Sequence, residues 1–88
     1  LSLVGSEMCI RDSGCDIQGS VKNCILFRNV RIEKGASVEN CVLFKDTVVK
    51  KGAVLRSVIT DKYVTVGDSV TLMGHENYPI VIAKGSTV

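Results

Sequence analysis

Residues 20–36, SVKNCILFRNVRIEKGA, and residues 37–53, SVENCVLFKDTVVKKGA, are two copies of one pattern. Nine of the 17 aligned pairs are identical, where unrelated stretches would share about one, so the chain is built of repeats. The period continues more loosely on the C-terminal side. Ile32, Val49, Val66 and Ile82 make one aliphatic series, and Val21, Val38, Leu55 and Leu72 make a second. Within a repeat the aliphatic positions fall six apart, as in Ile32 to Val38, Val49 to Leu55 and Val66 to Leu72, with a small or β-branched residue (Ala36, Ala53, Val70) two places before the second.

A unit of one aliphatic residue, a few turn formers and one small inward residue describes a triangular parallel β-helix, with a short strand and a turn on each side. Three six-residue sides exceed the observed period by one, so one side is short. Its expected place is around Leu26-Phe27, Leu43-Phe44 and Thr60-Asp61, where the inward register is left open. A helical reading fails, because Val, Ile and Thr crowd these segments and Gly recurs at what would be helix interiors. From Gly14 to Val88 the period allows four coils and part of a fifth, each resting only on its neighbours.

Composition agrees with this architecture. The chain has 88 residues, 45% of them hydrophobic but only 5% aromatic, so its apolar weight lies in Val, Ile, Leu and Ala, and the preponderance of β-branched Val and Ile among them favours strands over a helical bundle. A net charge of +2, evenly spread, is no nucleic-acid footprint. No apolar run approaches the roughly 18 residues needed to span a bilayer, and the expectation is a cytoplasmic chain with neither membrane nor nucleic acid as partner. The gaps between Cys9, Cys15, Cys24 and Cys41 make no CxxC pair and His75 is the single imidazole, which leaves no zinc motif.

Residues 1–13, LSLVGSEMCIRDS, share no series with the repeat; they resemble translated sequencing-adapter sequence and are expected to be a non-native, irregular leader. The domain proper is expected over 14–88.

GCDIQGSVKNCILFRNVRIEKGASVENCVLF, followed by ITDKYVTVGD and by GHENYPIVIAKGSTV, resembles the C-terminal domain of bacterial glucose-1-phosphate adenylyltransferase (ADP-glucose pyrophosphorylase), nearest to the non-catalytic or regulatory subunit of glycogen biosynthesis. The paired Asn-Cys-aliphatic-Leu-Phe segments and the loop Glu76-Asn77-Tyr78-Pro79 carry the resemblance more specifically than the hexads, which many acyltransferases share. It implies coils wound left-handed. It also implies a nucleotidyltransferase domain outside this chain that joins glucose 1-phosphate to ATP with Mg²⁺, and a homo- or hetero-tetramer with a catalytic subunit. This stretch would then serve assembly and regulation and hold no cofactor of its own; no Gly-rich nucleotide loop occurs in it. The alternatives are part of a hexapeptide acyltransferase and the tail of another sugar-phosphate nucleotidyltransferase.

No catalytic or metal-ligating residue is assigned. His75 is expected in a surface loop rather than as a general base. Cys24 and Cys41 are expected to stack reduced on adjacent coils, since in-register side chains about 4.8 Å apart exceed disulfide reach. Asn23 and Asn40 beside them suit left-handed turns. Arg28, Lys45 and Lys62 recur at the same period and are expected to form a basic column, partly neutralised by Asp46 and Asp61; a solvated corner is the first reading, and a contribution to an anionic-effector or interdomain site is the alternative. Phe27 and Phe44 stack likewise, and if turned outward they offer an aromatic strip to another domain or subunit.

Overall fold

A computed structural model describes residues 10–11 and 14–88. The rest of the leader, with Cys9 and the question of its origin, lies outside the described residues. The strands in chain order are β1 (Ile10–Arg11), β2 (Asp16–Ile17), β3 (Ser20–Lys22), β4 (Ile25–Leu26), β5 (Arg31–Ile32), β6 (Ser37–Glu39), β7 (Val42–Leu43), β8 (Val48–Val49), β9 (Val54–Arg56), β10 (Val58–Thr60), β11 (Thr65–Val66), β12 (Thr71–Met73) and β13 (Ile80–Ile82). All pair parallel, and they sort into three sheets ordered β1-β4-β7-β10-β13, β2-β5-β8-β11 and β3-β6-β9-β12. Every third strand therefore returns to the same face, one layer along. This is the left-handed parallel β-helix. No helix long and apolar enough to cross a membrane occurs among the described residues.

The repeat dictates the turns. Each corner needs a residue in the left-handed region, and the period puts the same position there in every coil: Asn23, Asn40 and Ser57 at one corner (φ 52, 54 and 55°), Asn29, Asp46 and Tyr63 at the next (58, 60 and 60°). Asn and Asp tolerate this backbone best among residues with a Cβ, which explains why they recur at the corners. Gly35 and Gly52 occupy the third corner at φ 82 and 75°, followed one coil later by Ser69 at 56°. Corner amides continue the ladder between coils, as when the Asn40 N–H donates to Lys22 O and the Ser57 N–H to Glu39 O, both at 3.0 Å.

Inside the triangle the series stack as read. Val21, Val38, Leu55 and Leu72 are in register across β3, β6, β9 and β12. Ile32, Val38, Leu43, Val49, Leu55 and Val66 are all 1% exposed or less, with Ala36 and Ala53 filling the narrow positions between them. Burying a branched aliphatic side chain is worth about 1.5–3 kcal/mol, so this column set is the main source of stability.

One expectation is corrected and one open register is settled. The short step is at the Asn40 corner, not at Leu43-Phe44: Val38 to Leu43 is one residue shorter than Ile32 to Val38 or Leu43 to Val49, all of them inward. This also settles the register there, with Leu26, Leu43 and Thr60 buried and Phe27 and Phe44 turned out.

In place of the expected four coils and part of a fifth, the coils are three regular turns and a fourth of altered length. The loop 74–79 is inserted between β12 and β13, so that Val58 pairs with Ile80 rather than with position 75. Ile82 consequently stands beside Thr60, and the Ile32, Val49, Val66 column is continued instead at Val88, next to the Thr65–Thr87 bridge. Gly74 makes the insertion possible. A Cβ there would collide with Ser57 O and lie 2.8 Å from Ile80 N, the two atoms through which β13 begins its ladder. Ile10–Arg11 adds a strand beside β4, in register with Ile25–Leu26.

Candidate functional site: the outer surface of the five-stranded sheet

The three faces differ in what they present to solvent. On the face of β2, β5, β8 and β11, Asp16 and Arg31 point outward, and Arg31 lies 4.0 Å from Asp16 and 3.8 Å from Glu33. On the face of β3, β6, β9 and β12 the outward positions include Ser20, Ser37, Lys22 and Glu39, and Arg56 bonds Glu39 at 3.1 Å. Both are hydrated surfaces with exposed ion pairs.

The third face is apolar. In β4, β7, β10 and β13 the outward residues are Ile25, Val42, Ile59 and Val81, in register across the sheet. The first three are half-buried and Val81 is 71% exposed. Two residues on from Ile25 and Val42, Phe27 and Phe44 stack with ring centroids 4.7 Å apart and planes within 15°. Beyond them run Arg28, Lys45 and Lys62. Phe27, Phe44 and these three cations line one open groove of about 270 Å³.

The structure thus brings Arg28, Lys45 and Lys62 together as the period implied, but the neutralisation expected from Asp46 and Asp61 is not made. Among the described residues no carboxylate lies within ion-pair distance of the three. Asp61 Oδ1 instead accepts the Lys62 backbone N–H at 2.7 Å, and the Lys45 ammonium sits 5.6 Å over the Tyr63 ring. Three cations with no carboxylate within ion-pair distance thus stand beside an aromatic pair and an aliphatic strip.

The aliphatic strip itself escaped the sequence reading. Its signal was present: CILF and CVLF are unbroken apolar runs, continued by Val58-Ile59, whereas the first two strands of each of the other faces alternate, and an unbroken run is consistent with a strand covered on both sides.

The remaining candidates have local roles. His75 is exposed; its Nδ1 accepts the Asn77 N–H at 3.1 Å, and its backbone pairs with Tyr78, so the ring stabilises a turn. No group of three His, Cys, Asp or Glu able to hold a metal occurs among the described residues. Asn23 and Asn40 take the left-handed corners, and Asn23 Oδ1 is buried without a hydrogen-bond partner.

Cys24 and Cys41 are buried and unbridged, donating to Lys22 O at 3.0 Å and to Glu39 O at 3.1 Å. The hydrogen bond with Cys41, and then burial, hold the Cys24 thiol well above the ordinary thiol range. Only thiolate alkylates, so Cys24 should react with iodoacetamide about 100-fold more slowly than half-buried Cys15 in the native chain, and equally fast in urea. Mass-spectrometric site counting reads both rates, and fast native labelling of Cys24 would mean that the coils open.

Fold and surface together define a hexapeptide-repeat parallel β-helix with one apolar, basic-rimmed face. The chain matches the family of GlmU-like C-terminal hexapeptide domains over residues 4–78, and it belongs to that family. It is 55% identical over 73 residues to the glycogen biosynthesis protein GlgD of Bacillus subtilis (strain 168), a match covering 83% of this chain and 21% of that protein. The chain therefore spans about a fifth of that relative's length. No solved structure matches it significantly.

Proposed function

We propose that this chain is the C-terminal assembly and regulatory β-helix of a glucose-1-phosphate adenylyltransferase-like subunit in cytoplasmic glycogen biosynthesis. The parent reaction converts ATP and glucose 1-phosphate to ADP-glucose and pyrophosphate. In this reading ATP and its Mg²⁺ belong to the nucleotidyltransferase domain of the same subunit, in a homo- or hetero-tetramer with a catalytic subunit, and the β-helix supplies surfaces rather than chemistry. The observation that carries the reading is the identity with a protein named for glycogen biosynthesis, which extends over most of the repeat. The groove at Arg28, Lys45 and Lys62 gives the domain a place to meet an anionic effector or a neighbouring domain.

The test is a chimera in which residues 14–88 replace the matching segment of the Bacillus subtilis relative. Assayed with its catalytic partner subunit, it should retain ADP-glucose formation. Changing Arg28, Lys45 and Lys62 together to Gln should alter the response to anionic effectors. Loss of assembly in the unmodified chimera, or acetyl-CoA binding by the chain, would count against the reading; an unchanged effector response would remove the regulatory role of the three cations.

A further inference from the structure

One inward column of the five-stranded sheet changes chemistry along its length. Coil by coil it reads Cys24, Cys41, Val58 and Ile80, so its first two members carry thiols where the next two are aliphatic. Cys24 and Cys41 are 0% and 1% exposed, and their thiols are hydrogen-bonded to each other, so the two sulfurs face across a single coil step. A cysteine packs as a small hydrophobe, but two that face each other are also a two-sulfur ligand set.

Spacing decides what such a pair can hold. Strands about 4.8 Å apart keep the two Cβ atoms wider than the roughly 3.8 Å of a disulfide. A metal–thiolate bond is about 2.3 Å, so two of them in a straight line span about 4.6 Å, close to one coil step. Zinc takes four ligands and calcium six or more, and no group of three His, Cys, Asp or Glu able to hold a metal occurs among the described residues. Thiolates select soft ions, and a closed-shell ion such as copper(I) is satisfied by two collinear sulfurs.

Charge sets the proton count. A monovalent ion that displaces one thiol proton to solvent leaves a neutral thiolate–metal–thiol unit, whereas loss of both protons would bury a net negative charge among aliphatic side chains. The carbonyls that now accept from the thiols are not stranded by the exchange. Lys22 O also accepts the Asn40 N–H, and Glu39 O the Ser57 N–H, both at 3.0 Å.

From this geometry we propose that Cys24 and Cys41 form a two-coordinate site for a soft monovalent cation of the copper(I) class. Two metal–sulfur bonds form, one S–H bond breaks, and no electron is transferred. The ion staples two adjacent coils from inside the core. The site is independent of what the parent subunit catalyses.

Silver(I), redox-inert and of the same class, is the probe. The 88-residue chain carrying Cys9→Ser and Cys15→Ser keeps only this pair of cysteines. Silver nitrate is titrated in chloride-free buffer, both into the folded protein and during refolding from urea, where the ion is supplied before the core closes. One ion bound and one proton released per chain are expected, with a raised urea midpoint and an X-ray absorption spectrum of two collinear sulfur neighbours. Cys24→Ser should weaken binding about hundredfold or more, as for loss of one of two linked contacts. Cys41→Val, which repeats the residue of the next coil, should do the same and gives the reading if the serine variant does not fold.

Two ions per chain, or single-cysteine variants that bind as tightly as the pair, overturn the shared site. Uptake by neither route overturns it as well. Release of two protons, or a third neighbour in the spectrum, overturns the neutral two-coordinate unit. An unchanged or lowered urea midpoint assigns the ion to thiols of the unfolded chain and overturns the staple. Equimolar zinc should leave the silver in place; displacement overturns the preference for a soft two-coordinate ion.

Discussion

Leu43→Ala lowers the unfolding free energy by about 3 to 5 kcal/mol. Leu43 is 0% exposed and lies in the middle of the stack, in register between Leu26 and Thr60. The size of the loss follows from how little the site can relax. The Ile25 N–H is bonded to Cys41 O at 3.0 Å and the Phe27 N–H to Leu43 O at 2.9 Å, so the layers cannot slide together to fill the cavity without breaking the ladder. At roughly 0.05–0.15 kcal/mol per residue, a domain of this size has about 4 to 13 kcal/mol in total, so the loss removes a large share of its stability. Val42→Ala, one residue away on the outer surface, should cost less than about 1 kcal/mol in the isolated chain. Urea titration compares the two midpoints at constant m-value. Equal shifts would mean that the inward and outward assignments of β7 are wrong.

Those assignments mark where the sequence is and is not legible. Spacing alone identified the inward positions at Ile32, Val38, Val49, Leu55 and Val66, because in each coil a turn former and a small residue stand between the aliphatics and leave one register open. Around Leu26-Phe27 and Leu43-Phe44 nothing polar interrupts the run, and a slip of one residue exchanges the two faces of a strand, so the orientation could not be read. The structure turns the Phe rings out because the one-residue deficit falls earlier, at the Asn40 corner.

Ile82 illustrates a different failure. Its distance from Val66 is nearly one period, and any aliphatic residue at that spacing mimics the column. What decides its place is backbone bonding: the Gly74 N–H donates to Arg56 O at 2.8 Å and the Ile80 N–H to Ser57 O at 3.1 Å, which restarts the ladder after the loop. The basic column was legible from its period. Its lack of ion pairs was not, since Asp46 and Asp61 are adjacent to it in sequence and adjacency does not fix where a carboxylate bonds; Asp61 Oδ1 accepts the Lys62 backbone N–H instead.

Thr47→Val lowers stability by about 1 to 3 kcal/mol although it exchanges a hydroxyl for a methyl, and Thr47→Val with Thr60→Val together restores most of that loss. Both residues are 0% exposed. The Thr47 hydroxyl donates to Asp61 O at 3.2 Å, which leaves it to accept from the Thr60 hydroxyl at 3.0 Å. Removing Thr47 strands a buried donor on Thr60. Removing Thr60 alone leaves Thr47 still bonded to Asp61 O, and is the milder change. With both gone no hydroxyl is left unsatisfied, the Asp61 carbonyl losing the Thr47 donor equally in the single and the double variant, and the positions come to resemble their own columns, where Val30 and Val64 flank Thr47, and Leu43 and Ile82 flank Thr60. The cycle should therefore show a coupling of about 1 kcal/mol or more, measured from urea midpoints of the four proteins. Additive losses would mean that the two hydroxyls do not share a proton. In that case the third coil would keep its threonines for a reason outside the packing of the core.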